Sequence, residues 1–196
     1  MSIIETVSGK MINIANPSPD DILLNDFAWA ISRVSRFAGH TISEVPLNVA
    51  QHSVYVCDMI LKNENRPDVE EIALFGLLHD CGEAYLGDIP SPVKHMPGLI
   101  DAFDAIENNF LNIIFEKYVG ALPTPEQWDV VKKYDKKALR IEAYHFMVSR
   151  GQGWTGDTEP LDLIELQTYP KPSSSILAYE KFLHKYETLS SLISKT

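Results

Sequence analysis

The sequence predicts an all-α protein, a helical bundle with a small N-terminal β-hairpin. Three observations lead there. Apolar residues recur every three to four positions through most of the chain. Pro, Gly and Asp clusters cut that pattern into segments of helical length. Strict alternation of apolar and polar residues is confined to the first fourteen residues.

Taken in order, Ile3 to Ile14 alternates around Ser8-Gly9-Lys10 and reads as a hairpin turning at Gly9. Ile22 to Phe37 carries Ile22, Leu23, Phe27, Ala30, Ile31 and Val34 at helical spacing, with Asp20 or Asp21 as cap and Gly39 as the stop. Val45 to Leu61 is a second helix with Pro46 in its first turn. A third, capped by Asp68, runs to about Leu86. Gly87 to Pro92 is a rigid loop, because two prolines oppose a helix there. Gly98 to Tyr118 is a fourth helix, and Pro123-Thr124-Pro125 starts a fifth that reaches about Val148. The Gly-, Pro- and Asp-rich stretch 151–172 is a long loop, and Ser173 to Leu192 is a final helix. One domain over 1–196 is expected, with its motif core at about 22–148.

Length and composition fit one core: 196 residues, 45% hydrophobic and 22% charged. A formal net charge of −10 argues against binding a nucleic-acid polymer, which needs a basic surface. Cys57 and Cys81, the two cysteines, sit in apolar helical contexts and read as buried thiols of a reducing compartment. The start lacks a signal-peptide pattern and no stretch reaches membrane-spanning length, so the cytoplasm is expected (the host's, if a phage encodes the chain). The apolar last helix could serve a homo-oligomer contact as readily as the core.

The chemistry concentrates in Leu77-Leu78-His79-Asp80-Cys81-Gly82-Glu83, followed by Gly87-Asp88. Ionisable groups inside an apolar helix are costly unless neutralised, and a divalent cation is the simplest neutraliser. His52 lies within a second apolar helix. Alone it would read as a core histidine with one hydrogen bond, but the His79-Asp80 pair changes that reading. Adjacent residues diverge by about 100° on a helix. Both therefore reach one ion only if the helix tightens or ends nearby. Asp135, on the fifth helix, is either a surface partner of Lys132 or Lys136 or the fourth ligand.

The pattern His52, His79-Asp80, Asp135 on successive helices resembles the HD superfamily of metal-dependent phosphohydrolases. Closer still is its branch of bacterial 5′-deoxynucleotidases and similar phage proteins. The segments His79-Asp80-Cys81-Gly82-Glu83, Gly87-Asp88-Ile89-Pro90-Ser91-Pro92-Val93-Lys94 and Val49-Ala50-Gln51-His52-Ser53 carry that resemblance, which covers about 22–144. The stretch Arg33 to Thr41 follows phage-type members, including dATP triphosphohydrolases, rather than the Arg-Trp stretch of the bacterial enzyme.

The resemblance implies one divalent metal ion (Co, Mn, Zn, Ni, Fe or Mg), since His and carboxylate ligands do not select sharply among such metals. No further His stands near Glu83 to hold a second ion. Glu83 and Asp88 are implied as the catalytic carboxylates, without fixing which is acid and which base. Glu83, three residues after Asp80, falls on nearly the same helical face and is placed to orient or deprotonate a water. Asp88 could protonate the leaving 5′-oxygen. Lys94 resembles the family's phosphate-contacting lysine. Arg33, Arg36 and His40 are further candidates for substrate contact, and His95, His145 and His184 have no ligand-like context.

The expected reaction is hydrolysis of a deoxynucleoside 5′-phosphate. The expectation leans to a triphosphate giving deoxynucleoside and triphosphate by metal-activated water attack on the α-phosphorus, because Arg33, Arg36, Lys132 and Lys133 offer extra positive charge. A monophosphate giving phosphate is the alternative. A non-catalytic nucleotide sensor would not need Glu83 and Asp88, and a structural metal site would be closed and lack a cation-lined cleft.

Overall fold

A computed structural model of the chain describes residues 2–154, 169 and 171–193. It is mainly helical, and the expected hairpin is present. Strands β1 (Ile3–Glu5) and β2 (Met11–Asn13) pair antiparallel, with Ile4 opposite Ile12. Only Ile12 of the pair is fully buried. The turn is pinned to the first helix, because the Thr6 and Ser8 hydroxyls both donate to the Asp26 carboxylate at 2.6 Å.

The first helix is shorter than its apolar spacing suggests. Helix α1 spans Leu24–Ile31, and no side chain caps it; the Leu24 N–H donates instead to the Tyr118 hydroxyl at 2.8 Å. Beyond Val34, whose N–H still donates to the Ala30 carbonyl, the chain gives up helical bonds for a bridge between Ser35 and Asn48. The Val49 N–H then donates to the Val34 carbonyl (3.1 Å) and the Arg36 N–H to that of Leu47 (2.9 Å). A tight turn over Arg36–Gly39 follows, with Phe37 (φ 56) and Ala38 (φ 50) in the left-handed region. That conformation costs L residues roughly 1–2 kcal/mol each. It persists here with the preceding residue, Arg36, held inside the protein at 7% exposure.

Helix α2 (Val49–Asn63) begins after Pro46 rather than around it. Its cap is Asn48, whose side-chain oxygen accepts the Gln51 N–H at 2.9 Å. The third helix was expected to continue to Leu86. It breaks: α3 is Val69–Leu78, residues 79–82 form a turn, and α4 resumes over Glu83–Leu86. A one-turn helix, α5 (Ser91–Lys94), stands where two prolines suggested only loop. Pro92 is tolerated because a first-turn N–H has no partner to lose. Helix α6 covers Ile100–Tyr118. Helix α7 covers Pro125–Phe146 behind a reciprocal Thr124–Gln127 capping box, and α8 covers Ser175–Ile193. Most of the loop expected over 151–172 lies outside the described residues.

Helices α2 and α3 pack against each other, and α7 and α8 both pack on that pair. Gly76 permits the close approach, since a Cβ there would lie 2.5 Å from Ile60 Cδ1. Phe27, Phe75, Phe110 and Phe182 are fully buried in one core. Phe75 meets Phe115 edge to face at 5.2 Å, and Phe27 meets Tyr118 likewise at 5.4 Å. Cys57 and Cys81 are buried free thiols. In α8, Phe182 and Leu189 enter the core while Ile176, Leu177 and Leu192 stay exposed. No helix among the described residues is long and apolar enough to cross a membrane.

Asn48 caps the helix that carries His52. Asn48→Ala is expected to destabilise the fold by about 1 kcal/mol. Chemical denaturation should show this as a lower midpoint at unchanged m-value.

Candidate metal centre

His52 projects from the middle of α2, Asp135 from α7, and His79-Asp80 from the turn just past the end of α3. The break after Leu78 lets two consecutive residues face one point, which a continuous helix would not. Both imidazoles are buried. Their Nε2 atoms lie 3.3 Å apart. From His52 Nε2 to Asp80 Oδ2 is 3.4 Å and to Asp135 Oδ1 3.3 Å. From His79 Nε2 to Asp80 Oδ1 is 3.2 Å and to Asp135 Oδ1 3.6 Å. One donor atom from each of the four lies within 4.8 Å of every other.

The outer edges of the imidazoles explain what the inner edges can hold. His52 Nδ1 faces Glu142 Oε1 at 2.8 Å, and His79 Nδ1 faces the Gly76 carbonyl oxygen at 2.7 Å. Both partners are acceptors, so each Nδ1 donates. In the neutral imidazole each Nε2 is then left with a lone pair. Two such lone pairs and two carboxylates converge, a set that only a positive charge reconciles. The electrostatics say the same. Burial pulls the His79 imidazole down, but the Asp80 carboxylate and hydrogen bonds to Asp135 and Asp80 outweigh it, and the group is pushed up to about 10. Burial pushes Asp135 up, yet its bonds to His52 and His79 hold it well below the usual carboxylate range. The donor set, two imidazoles and two carboxylates, fits one borderline divalent cation.

Around this centre lie groups of both signs. Glu142 is fully buried; its Oε1 accepts from His52 and from the Tyr169 hydroxyl (2.8 Å), and its Oε2 from Arg36 Nε (3.0 Å). Burial opposes its charge, but Arg36 and His52 keep it ionised, below its ordinary range. Arg36 also reaches Asp80 Oδ2 at 3.5 Å, and it feels the charges of Asp88 and Glu83. Glu83 is 4% exposed, and its Oε2 has no hydrogen-bond partner among the described residues. Burial first, then the Asp80 and Asp88 charges, raise its carboxyl well above the usual range. Asp88, half-buried on the loop after α4, is raised chiefly by burial as well. Lys94 lies 4.0 Å from Glu83 Oε1 and 3.0 Å from Glu107 Oε1.

Of the residues singled out in the sequence, the fold thus brings together His52, His79, Asp80, Asp135, Glu83, Asp88, Arg36 and Lys94. It does not bring Arg33 or His40. Arg33 turns back on its own segment, donating to the Trp29 carbonyl at 2.9 Å with its guanidinium over the Trp29 ring. His40 is exposed after the strained turn and makes no side-chain bond to the cluster among the described residues. Sequence reasoning missed Glu142, Tyr169 and Glu107. A signal for Glu142 existed: it follows Asp135 by seven residues, two helical turns along the same face, and it interrupts the apolar Ala138, Ile141, Ala143 run. Tyr169 carries no such signal.

A helical bundle that gathers His, His-Asp and Asp at one point defines the class: an HD-type phosphohydrolase, an enzyme that splits phosphoric esters. Within that class, the model of the 5′-deoxynucleotidase YfbR-like family matches residues 28–140, and the chain belongs to that family. It is 33% identical over 98% of both chains to YfdR of Escherichia coli K12, described as uncharacterized. It is 35% identical over 42% of its length, and 44% of the other's, to the 5′-deoxynucleotidase plu3092 of Photorhabdus laumondii. The solved structure of the cyanophage S-2L HD phosphohydrolase DatZ, bound to dA and one catalytic Zn2+ ion, shares the fold. The TM-score is 0.51 at 19% identity, over 89% of this chain and 99% of that one.

Two outcomes follow from the geometry. Asp80→Ala should lose bound metal when measured by elemental analysis of dialysed protein, and full occupancy would contradict the ligand set. Glu83→Gln should raise stability at neutral pH. The buried Glu83 carboxyl has a raised pKa, so its contribution is present at low pH and lost as pH rises through that pKa. The variant's advantage over wild type should therefore grow with pH above the ordinary carboxylate range. In metal-free protein it should reach about 2–4 °C in thermal midpoint.

Proposed function

We propose that this chain, as one HD domain working in the cytoplasm, hydrolyses deoxynucleoside 5′-phosphates with a single divalent cation held by His52, His79, Asp80 and Asp135. The observation that carries the reading is this four-donor cluster, its imidazoles buried and its carboxylates partly open to solvent, with Glu83, Asp88 and Arg36 in its electrostatic reach. A cation there supplies Lewis acidity, lowering the pKa of a water and polarising a phosphoryl oxygen. Glu83 accepts the proton of the attacking water as the new P–O bond forms. Asp88 donates its proton to the 5′-oxygen as the P–O5′ bond breaks; its raised pKa favours the protonated form this step needs. Arg36 and Lys94 bind the phosphoryl oxygens and offset the charge that builds on them.

The placement of cations favours the monophosphate. Three groups that the sequence offered to a triphosphate are engaged elsewhere: Arg33 on Trp29, Lys133 with Glu64 at 2.9 Å, and Lys132 over the Trp128 ring. The triphosphate reading rests on the likeness of residues 33–41 to phage-type members. Retention of both Glu83 and Asp88 speaks for turnover over mere sensing.

Product analysis with metal-loaded protein separates these readings. Deoxynucleoside plus phosphate from a monophosphate is the expected result. Release of intact triphosphate from a deoxynucleoside triphosphate would favour the other substrate, and no product from either would end the hydrolase proposal. Glu83→Ala and Asp88→Ala should each lower kcat by about 10²-fold or more while keeping the metal.

A further inference from the structure

We propose that Glu142 is the positioning residue of this centre, a single carboxylate that orients both the His52 imidazole for the cation and the Arg36 guanidinium for phosphate. The inference rests on the metal-centred function above and goes beyond it, since Glu142 touches neither the cation position nor a substrate. Its two oxygens divide the work. Oε1 takes the His52 Nδ1–H at 2.8 Å, which commits the ring to the tautomer whose Nε2 lone pair faces His79, Asp80 and Asp135. Oε2 takes Arg36 Nε–H at 3.0 Å, which holds the guanidinium beside the cluster with Nη1 3.5 Å from Asp80 Oδ2.

The surroundings make Glu142 hard to replace. It is fully buried and accepts from three donors, His52, Arg36 and the Tyr169 hydroxyl. Glutamine matches its size but turns an amide N–H2 toward one of those donors and removes the charge opposite a buried guanidinium. An Arg left buried without its carboxylate is free to collapse onto Asp80, a candidate ligand. The other ligand histidine lacks this arrangement. His79 Nδ1 donates to the Gly76 carbonyl, a neutral acceptor of its own helix, and has no link to a phosphate-binding group among the described residues. Asymmetry of this kind places the coupling of cation and substrate on the His52 side.

The test compares wild type with Glu142→Gln by calorimetric titration with Co2+. Metal Kd in the variant should rise 10- to 100-fold, the visible cobalt spectrum should change, and substrate KM should rise in protein saturated with metal. A merely structural residue would lower the thermal midpoint and leave metal Kd, spectrum and KM alone, and that result overturns the proposal. Should the variant not fold, long-range proton–nitrogen NMR on Zn2+-loaded wild type decides. His52 must carry its proton on Nδ1 and bind through Nε2; the opposite tautomer overturns the proposal. If wild type itself takes up no cation, the metal-centred function falls together with this inference. If wild type binds Co2+ and Glu142→Gln binds it equally well, the inference falls alone.

Discussion

Four carboxylates, Asp80, Asp135, Glu83 and Glu142, stand at the junction of α2, α3, α4 and α7, the last two buried and the first two only partly exposed. Buried negative charge in that amount is tolerated only against positive charge at short range. Arg36 supplies one full charge from inside the fold, and Lys94 supplies another from the rim. The point between His52 and His79 demands a third, from protons or from a metal ion. Much of what is irregular in this protein serves that balance.

The irregularities fall where the balance requires them. The strained pair Phe37–Ala38 follows directly on Arg36, so the turn that keeps this guanidinium inside is built from residues in an unfavourable conformation. The four-residue break between α3 and α4 interrupts a helix whose apolar content would otherwise carry it on, and it stands at His79-Asp80. Local preference yields at both places to the convergence of charges, as expected where function competes with regular structure. Elsewhere the chain follows its propensities closely, as the Asn48 cap and the Thr124–Gln127 box show.

Shared partners tie the parts of the site together. Glu142 joins His52 to Arg36, and Asp80 is approached by both histidines and by Arg36. Asp80 also raises Glu83. Displacing one of these side chains therefore disturbs the others through the carboxylates they share. Tyr169 adds a contact from the segment before α8, so the C-terminal part of the chain also bears on the centre.

The sequence alone determined the helical class and the N-terminal hairpin, through periodicity that is visible along a chain. Residue types costly to bury marked His79-Asp80, and the resemblance to the HD pattern added His52 and Asp135. The same resemblance marked Glu83, Asp88 and Lys94. Only the tertiary structure decided where helices end against their own propensity, at Ser32 and at Leu78, because pairings with Asn48 and Leu47 and the convergence on a cation are made across elements. Only the tertiary structure separated Arg36 from Arg33. Three residues apart in the sequence, the two look alike; one meets a buried carboxylate 106 positions away, and the other meets the indole of the helix just before it. Long-range contact, which no local pattern encodes, sets those fates.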